Sequence, residues 1–367
     1  MSVKFLDLYT QYHTIQTEIK QALDEVLTSC AFTAGPFVKN FEQSFAKLHN
    51  VPFCVGVNNG TSALHIVLMA LNIGHGDEVI VPANTFFATA EAVSLAGATP
   101  VFVDCEDTFY NIDTTQLKQA ITSKTKAVMG VHLYGQPANL HTLKTFCDTH
   151  QLHLIEDCAQ AHLATYQKTP VGNTGIAGCF SFYPGKNLGA YGDAGAVITH
   201  DEKLYNKLLA LRDHGSHKKY HHDYVGHNYR MSGFQGAVLN VKAQYIRDWT
   251  QQRIHHAQHY DDMLQGIHDI VLPQRMTDAQ HVFHLYAIQA PHREDLIAYL
   301  NKQGIQTGIH YPIPCHLQKA YQHLGYSKGD FPVTEYLANH ILSLPMYPEL
   351  NEQAIATVCQ HIRTFYG

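Results

Sequence analysis

The sequence predicts an α/β protein whose main sheet is largely parallel and is covered by helices on both faces. Short apolar runs of strand length recur from residue 51 to residue 199, and helix-like stretches lie between the earlier ones. Each run is continuously apolar rather than alternating, which is typical of parallel strands buried on both faces. The 367 residues are enough for about two domains. Ligands bind to such sheets beyond the carboxyl ends of the strands.

The elements follow in order along the chain. Phe37, Phe41, Phe45 and Leu48 share one helical face after Pro36, which predicts a helix over 37–48. The predicted strands are Val51–Val57, Glu78–Val81, Pro100–Asp104, Ala127–Leu133, Leu152–Glu156, Cys179–Phe182 and Ala196–Thr199. The predicted helices between them are Ser62–Leu71, Phe87–Leu95, Thr115–Ile121 and Leu140–Thr149.

The pattern changes beyond residue 240, where a long polar helix is predicted over Val241–Leu264. The later predicted elements are the strand Val282–Gln289, the helix Arg293–Gln303, the strand Ile305–Tyr311 and the helices Thr334–Leu342 and Gln353–Phe365. This order predicts a large domain over 1–240 and a smaller C-terminal α/β domain over 241–367, joined by the long helix.

Composition excludes several classes of partner. The chain is 45% hydrophobic and 15% charged, with a net charge of −6 and no basic run, so we expect no binding to nucleic acid or to an anionic membrane. No apolar run approaches the ~20 residues that span a bilayer. The N-terminus lacks the apolar segment of a signal peptide, so a cytoplasmic protein is expected.

Cysteine and histidine give no metal or disulfide signature. The eight cysteines contain no CxxC pair, which argues against a zinc ribbon or a disulfide framework. Among 27 histidines, His255 and His259 have the most metal-like spacing, four residues apart on a predicted helix. The pair lacks an HExxH glutamate and a visible third ligand. A polar helix face is therefore favoured, and no metal site is predicted.

One lysine has unusual neighbours. Lys186 lies in the stretch Cys179–Ala196, after a strand-like run and a Pro184–Gly185 turn, and glycines follow at 189, 192 and 195. A lysine on such a turn suits a Schiff-base role, with a lowered pKa and an amine directed at a carbonyl. We expect the glycines to let the backbone approach a bound ring and phosphate. A solvated lysine in a glycine-rich loop fits this stretch equally well.

Three other features point to the same ligand. Residues 59–62 (NGTS) open a helix after a strand and suit a phosphate, although they also suit a simple helix cap. Asp157 ends a buried strand, where it could pair with a pyridinium N–H or form a structural salt bridge. Phe86 could stack on a planar ring or pack in the core. Together with Lys186 and the hydroxyl of Ser181, these features predict a pyridoxal phosphate site. The dinucleotide and Walker fingerprints do not occur at the corresponding positions.

The order and spacing of these motifs resemble the DegT/DnrJ/EryC1 family of sugar aminotransferases. The stretches that carry the resemblance are NNGTSAL (58–64), VPANTFFATAEAV (81–93), EDCAQAH (156–162), FSFYPGKNLGAYGDAGA (180–196), LRDHG (211–215), GHNYRMSGFQGAVL (226–239), TGIHYPIPCHLQKAY (307–321) and FPVTEYLANHILSLPMYPEL (331–350). The resemblance implies a fold-type I pyridoxal-phosphate enzyme with an aspartate-aminotransferase-like large domain.

The resemblance also implies roles for individual residues. Lys186 would bind the cofactor covalently and carry the proton, Asp157 would pair with the pyridine nitrogen, and Gln160 would bind the ring O3′. Phe86 would stack on the ring. The phosphate would be held by Gly60, Thr61 and Ser181, and by Asn228 of a neighbouring subunit in an obligate homodimer.

The SFYPGKNLGA form of the lysine block is most similar to enzymes acting on dTDP-3-keto-6-deoxyhexoses. In that subgroup the sugar nucleotide would be contacted by Tyr183, Lys219, His310 and Tyr311. The resemblance thus implies transamination with L-glutamate as amino donor. The alternatives are amination at C4 of a UDP- or dTDP-4-keto sugar, a sugar dehydratase on the same scaffold, and a non-catalytic regulatory protein.

The sequence departs from the family pattern at four positions. Cys158 replaces a common small residue, and Leu163 stands where the family often has glycine. Gly233 and Gly236 lie in a segment usually richer in Asp and Ala. None of these changes removes a chemical group, and we expect any effect to be on the substrate pocket.

Overall fold

The computed structural model describes residues 2–367. The N-terminal helices are α1 (Leu8–Thr14), α2 (Gln16–Ser29) and α3 (Gly35–His49). The alternating segment contains β1 (Phe53–Val57), α4 (Gly60–Ala70), β2 (Glu78–Pro82), α5 (Phe87–Leu95), β3 (Thr99–Val103), α6 (Leu117–Ala120), β4 (Thr125–Val131), α7 (Leu140–His150) and β5 (His153–Asp157). It is followed by β6 (Thr165–Tyr166), β7 (Thr169–Pro170), β8 (Ala177–Ser181), β9 (Gly195–Thr199), α8 (Glu202–Arg212), β10 (Ser216–Lys218), β11 (His221–His222) and α9 (Gly233–Lys242).

The C-terminal part alternates helices with short strands. Its elements are α10 (Ile246–Leu264), β12 (Ala279–Gln280), β13 (Tyr286–Gln289), α11 (Arg293–Lys302), α12 (Pro332–His340), β14 (Ile341–Leu344) and α13 (Glu352–Tyr366). No helix within residues 2–367 combines the length and the apolar character needed to cross a bilayer.

The central sheet has seven strands in the order β1-β9-β8-β5-β4-β2-β3. The neighbours from β8 to β3 are parallel, whereas β9 runs antiparallel to both β8 and β1. The carboxyl ends of β1, β2, β4, β5 and β8 therefore lie on one edge of the sheet. The amino end of β9 lies at the same edge. The predicted α/β class with a mainly parallel sheet is confirmed.

Helices cover both faces of this sheet. One face packs on α3 and α7, where Phe41, Phe45 and Leu143 are fully buried with Phe180 of β8. The other face packs on α4, α5 and α8, with Val67 of α4 fully buried. Burial on two sides explains why the strands are apolar at successive positions rather than at alternate ones.

A separate apolar core lies in the C-terminal part, between α10, α11, α13 and the antiparallel pair β13–β14. Val3 belongs to this core, and its backbone bonds to Gly304 and Gln306. The first residues thus pack with the C-terminal unit, although the sequence assigned them to the first domain. The predicted boundary at residue 240 falls inside α9, two residues before that helix ends at Lys242.

The predicted helix over Val241–Leu264 is interrupted. α9 ends at Lys242 and α10 begins at Ile246, and turn hydrogen bonds from Gln244 and Tyr245 replace the helical ones between them. The apolar and polar periodicity continues across this turn, so the sequence pattern does not reveal the break.

Other predicted elements differ in part. Ile305–Tyr311 is not a continuous strand, because Ile305 bridges to Val3 whereas Gly308 bridges to Ser343 of β14. The predicted helix Thr334–Leu342 ends at His340, and the buried run that follows is strand β14, paired with β13. The helix predicted over Thr115–Ile121 is limited to α6. Helices α1, α2 and α8 were not predicted.

Candidate active site

A cavity of about 550 Å³ opens at the sheet edge where the parallel strands end. Most of the predicted site residues line it: Gly60, Thr61, Phe86, Asp157, Gln160, Ser181, Tyr183, Lys186, His310 and Tyr311. They are far apart in sequence because each follows a different strand or belongs to the C-terminal unit. Convergence of the strand ends brings them together.

Lys186 lies on the turn after β8, where its backbone N–H donates to the Tyr183 carbonyl at 2.8 Å. The side chain is half-buried and lines the cavity. Burial lowers the pKa of Lys186 from 10.5 to about 8, although the nearby Asp157 carboxylate favours the charged form. About a tenth of this amine is therefore neutral at pH 7, and more above it, as a nucleophile or a base requires.

Asp157 ends β5 and is 6% exposed. Its Oδ2 accepts a hydrogen bond from Thr89 Oγ1 of α5 at 2.8 Å, and its Oδ1 accepts from the Ala159 N–H at 3.1 Å. Thr85 Oγ1 lies 2.7 Å from Thr89 Oγ1 and donates to it, because the Thr89 hydroxyl proton is directed at the carboxylate. The carboxylate is thus held in one orientation with acceptor capacity left on the cavity side.

The first turn of α4 forms another wall of the cavity. Asn59 Oδ1 caps the helix by accepting from the Ser62 N–H at 2.8 Å, and the first amides of a helix have no intrahelical partner. A Cβ at Gly60 would lie 2.6 Å from the Cβ of Ser181, so only glycine allows this close approach of α4 to the end of β8. A small anion would meet free amides and hydroxyls here.

Aromatic and amide groups form a further part of the cavity wall. Phe86 precedes α5 and remains 52% exposed, with its ring centroid 5.3 Å from that of Tyr311. Gln160 accepts from the Tyr134 N–H at 2.7 Å and donates to the Tyr311 hydroxyl at 3.0 Å. Its amide group keeps one further N–H. An exposed aromatic face beside an amine and a carboxylate suits a planar, charged heteroaromatic ligand.

The sequence matches the DegT/DnrJ/EryC1/StrS aminotransferase family over residues 13–363. The chain belongs to this family. Aminotransferases of this family depend on pyridoxal phosphate, and several relatives of this chain are named sugar transaminases, so the predicted family, enzyme class and cofactor are confirmed.

Several relatives are similar over the whole chain. The "Pleiotropic regulatory protein" of Geobacillus stearothermophilus is 45% identical, with 100% of this chain and 99% of the relative covered. The UDP-N-acetyl-3-dehydro-α-D-glucosamine 3-aminotransferase of Acidithiobacillus ferrooxidans is 42% identical, with coverages of 100% and 99%. The dTDP-3-amino-3,6-dideoxy-α-D-galactopyranose transaminase of Aneurinibacillus thermoaerophilus is also 42% identical, with 99% of each chain covered.

A solved structure agrees closely with this fold. The crystal structure of S. venezuelae DesV in complex with a ketimine intermediate superposes with a TM-score of 0.98 at 40% identity. The superposition covers 100% of this chain and 98% of DesV. The agreement includes both the central sheet and the C-terminal unit.

The glycines after Lys186 have a different role from the one expected. A Cβ at Gly189 would lie 2.2 Å from the Pro184 carbonyl oxygen, and one at Gly195 would lie 2.3 Å from the Asn59 carbonyl oxygen. Neither glycine lines the cavity. They allow the lysine turn to fold on itself and the start of β9 to pack against the α4 cap. Both glycines therefore support the cavity from behind and do not line it.

The four departures from the family pattern lie behind the cavity rather than in it. Leu163 has a φ of 62°, a left-handed conformation that explains why the family often has glycine there. A Cβ at Gly233 would lie 1.9 Å from the Ala31 carbonyl oxygen, and one at Gly236 would lie 2.8 Å from the Val38 amide nitrogen. Those two glycines let α9 pack against the N-terminal helices, and Cys158 is buried. The effect expected on the substrate pocket is therefore not a direct contact.

Several cavity residues escaped the sequence analysis. Phe5 and Leu6 of the N-terminal segment and His284 line the cavity, as does Asp193. Burial lowers the pKa of His284 well below its usual value, with the Lys186 charge adding to the effect. Asp193 lies in the stretch Cys179–Ala196 and could have been found there. The other three residues have no spacing signal, because packing between the N-terminal segment and the C-terminal unit brings them to the cavity. Thr89 could have been found, since it lies one helical turn after Thr85.

Two predicted residues lie outside this cavity. Asn228 is exposed, in a short bridge to Asp213, and Lys219 is exposed beside the ring of Tyr220. By contrast, His310 lines the cavity and its Nδ1 lies 2.9 Å from Ser343 Oγ. Burial lowers the pKa of His310 to about 4, with the Lys186 charge contributing, so this imidazole is neutral at physiological pH.

Proposed function

We propose that the chain transfers an amino group from L-glutamate to C3 of a dTDP-3-keto-6-deoxyhexose and forms the dTDP-3-amino-3,6-dideoxyhexose. The printed names of the A. thermoaerophilus and A. ferrooxidans relatives both specify an amino group at C3 of a nucleotide sugar. The first of these names a dTDP-3-amino-3,6-dideoxyhexose. The SFYPGKNLGA block around Lys186 supports the same substrate class.

The observation that carries the proposal is the pairing of a partly neutral Lys186 with a buried carboxylate, Asp157, in one cavity. These residues fit pyridoxal phosphate: Lys186 for the carbonyl, Asp157 for the ring nitrogen, and the start of α4 with Ser181 for the phosphate. Phe86 offers an exposed ring face on which the cofactor ring could stack. The bound cofactor supplies an electron sink for the carbon that loses its proton.

The protein's own part in the reaction is proton transfer and orientation. Lys186 Nζ takes the proton from one substrate carbon and returns it to another atom, which requires the neutral amine. Asp157 keeps the ring nitrogen protonated, and Thr89 and the Ala159 amide prevent the carboxylate from rotating away. Gln160 is positioned by Tyr134 and Tyr311 to bind the ring O3′.

A homodimer with its active sites at the subunit interface forms part of this proposal. Within residues 2–367, Lys186 is the only lysine or arginine that lines the cavity. A nucleotide sugar carries a pyrophosphate, and one chain alone offers it no free cation there. Exposed Lys219 and Asn228 are available to reach a second copy, where Asn228 would bind the cofactor phosphate and Lys219 the nucleotide sugar. Tyr183, His310 and Tyr311 would contact the sugar nucleotide from the same chain as Lys186. We also propose that the enzyme acts in the cytoplasm.

The printed name of the G. stearothermophilus relative leaves a regulatory function as the second candidate. Such a protein has no need of an amine with a lowered pKa beside an oriented carboxylate. Amination at C4 is a variant of the proposed reaction. A dehydratase is disfavoured because that branch of the family has histidine where this chain has Lys186.

The absorbance spectrum of the purified protein distinguishes these candidates. Addition of L-glutamate should remove the lysine-linked cofactor band and produce the pyridoxamine band. The converted protein should then return to the lysine-linked form fastest with a dTDP-3-keto-6-deoxyhexose, compared with UDP-3-keto and dTDP-4-keto sugars. A regulatory protein would show no conversion, and faster reaction with a 4-keto sugar would move the aminated carbon to C4. Lys186→Ala should lose both half-reactions, and wild-type turnover by this variant would contradict the assignment.

A further inference from the structure

The helix pair α10–α13 brings three metal-binding side chains together on the surface of the C-terminal unit. His255 and His259 lie one turn apart on α10, with ring centroids 4.3 Å apart. Glu352, the first residue of α13, places its Oε1 3.7 Å from His255 Nε2 and 4.0 Å from His259 Nε2. One ligand atom from each residue lies within 4.8 Å of the others. The third ligand that the histidine spacing lacks in sequence is supplied by Glu352 in the fold.

We propose that His255, His259 and Glu352 bind a divalent transition-metal ion of the Zn²⁺ class, which joins α10 to α13. Two imidazoles and one carboxylate are a recurrent donor set for zinc, with water as the fourth ligand. Metal–ligand bonds of about 2.0–2.1 Å in a tetrahedron place neighbouring ligand atoms about 3.3 Å apart. The two histidine–glutamate separations need a closure of less than about 1 Å, and the two histidine ligand atoms need at most about 1.5 Å. Glu352 is 71% exposed and His255 59% exposed, so both side chains can rotate without repacking.

The three side chains are not committed elsewhere. Within residues 2–367, no hydrogen bond joins these side chains to the rest of the protein, and their ion-pair approaches are limited to those between the two histidines and Glu352. The intervening His256 points inwards, and its Nε2 lies 2.9 Å from the Pro348 carbonyl oxygen, so it is not a ligand. The helix backbone therefore directs one histidine to the interior and leaves the two neighbours on either side facing Glu352.

A second cluster of possible metal ligands differs, because its side chains are already hydrogen-bonded to one another and to the backbone. His132, Glu156 and Cys158 are also within metal-binding distance of one another but are buried. There Glu156 accepts from three backbone amides and lies 3.0 Å from His132 Nε2, while His132 Nδ1 accepts from the Ala138 amide. Its donor and acceptor capacity is already used, so this cluster is structural. The contrast favours the exposed cluster on α10 and α13 as the metal site.

The test is calorimetric titration of the holoenzyme, without a polyhistidine tag, with ZnCl₂. We expect one ion per chain in the tightest phase, with affinity at least about tenfold weaker in His259→Ala and in Glu352→Gln, because each removes one of three ligands. His268→Ala, which removes another exposed histidine of the C-terminal unit, is the matched control and should bind as the wild type does. Saturation with ZnCl₂ should also raise the Tm of the wild type and of His268→Ala, but not that of Glu352→Gln.

The result that overturns the proposal is equally clear. If His259→Ala and Glu352→Gln bind Zn²⁺ with wild-type affinity and stoichiometry, the ion binds elsewhere, for example at the cofactor or at another histidine. Loss of the tight phase in His268→Ala would also contradict it. All three positions are on the surface, so the variants should fold, and their unchanged aminotransferase spectrum verifies this.

Discussion

Replacing Lys186 by methionine should raise the free energy of unfolding of the cofactor-free protein above that of the wild type. This gain should be larger near neutral pH than at alkaline pH. Burial lowers the pKa of Lys186 from 10.5 to about 8 in the folded chain. The unfolded chain thus binds this proton more tightly than the folded chain, and protonation favours unfolding. The penalty is complete below the folded pKa, declines as pH rises, and is absent above the unfolded pKa.

The magnitude follows from the shift in pKa. A difference of about 2.5 pKa units at 1.36 kcal/mol each corresponds to about 3 kcal/mol between about pH 7 and about pH 10.5. This shift already includes the attraction of the Asp157 carboxylate, which opposes the effect of burial. The difference in free energy of unfolding between variant and wild type should therefore fall by about 3 kcal/mol with rising pH.

Urea unfolding of the cofactor-free proteins at several pH values measures this difference directly. Lys203→Met is the matched control, because Lys203 is exposed on α8 and its replacement should change stability by no more than about 0.5 kcal/mol at any pH. A difference for Lys186→Met that stays constant from neutral to alkaline pH would refute the reasoning. It would mean that the folded protein holds Lys186 with an ordinary proton affinity and that the lysine is not prepared as a base.

Three further predictions concern the groups around this lysine. Thr89→Val should lower the free energy of unfolding by about 2 kcal/mol, because it removes a hydrogen bond to the buried Asp157 carboxylate, and Thr89→Ser should restore it in the same urea assay. Gly60→Ala should weaken cofactor binding at least about tenfold in a titration of the cofactor-free protein. The added Cβ would lie 2.6 Å from the Cβ of Ser181 and would displace the start of α4, so unchanged affinity would contradict a phosphate site there. Glu156→Gln should lower the free energy of unfolding by about 3 kcal/mol, because the new amide N–H₂ would face donors. Hydrogen bonds outweigh burial and lower the pKa of Glu156, so this difference should shrink as pH falls through the acid range.

The sequence predicted the site residues that lie at the end of a strand or on the turn after it. Asp157 ends β5 and Lys186 lies on the turn after β8, and parallel strands bring their carboxyl ends to one edge of the sheet whatever the loops do. It could not predict His284 or Phe5, which reach the cavity only because the C-terminal unit and the N-terminal segment share a core. The third member of the proposed metal cluster, Glu352, was invisible for the same reason. Contacts between distant elements depend on packing and have no local periodicity.

Two lysines in this fold have the same lowered pKa, and only their surroundings distinguish them. Burial lowers the pKa of Lys242 to about 8, as it does that of Lys186. Lys242 Nζ donates to the Gly189 carbonyl at 2.6 Å and lies 5.0 Å from the ring centroid of Tyr191, so its amine is used in holding the lysine turn. Within residues 2–367, Lys186 Nζ makes no such bond and lines an open cavity beside a carboxylate. A lowered pKa therefore shows only that the amine is buried. Lys186 is the amine that is free to react, because within residues 2–367 its Nζ has no hydrogen-bond partner. Lys242 instead holds the turn on which Lys186 lies.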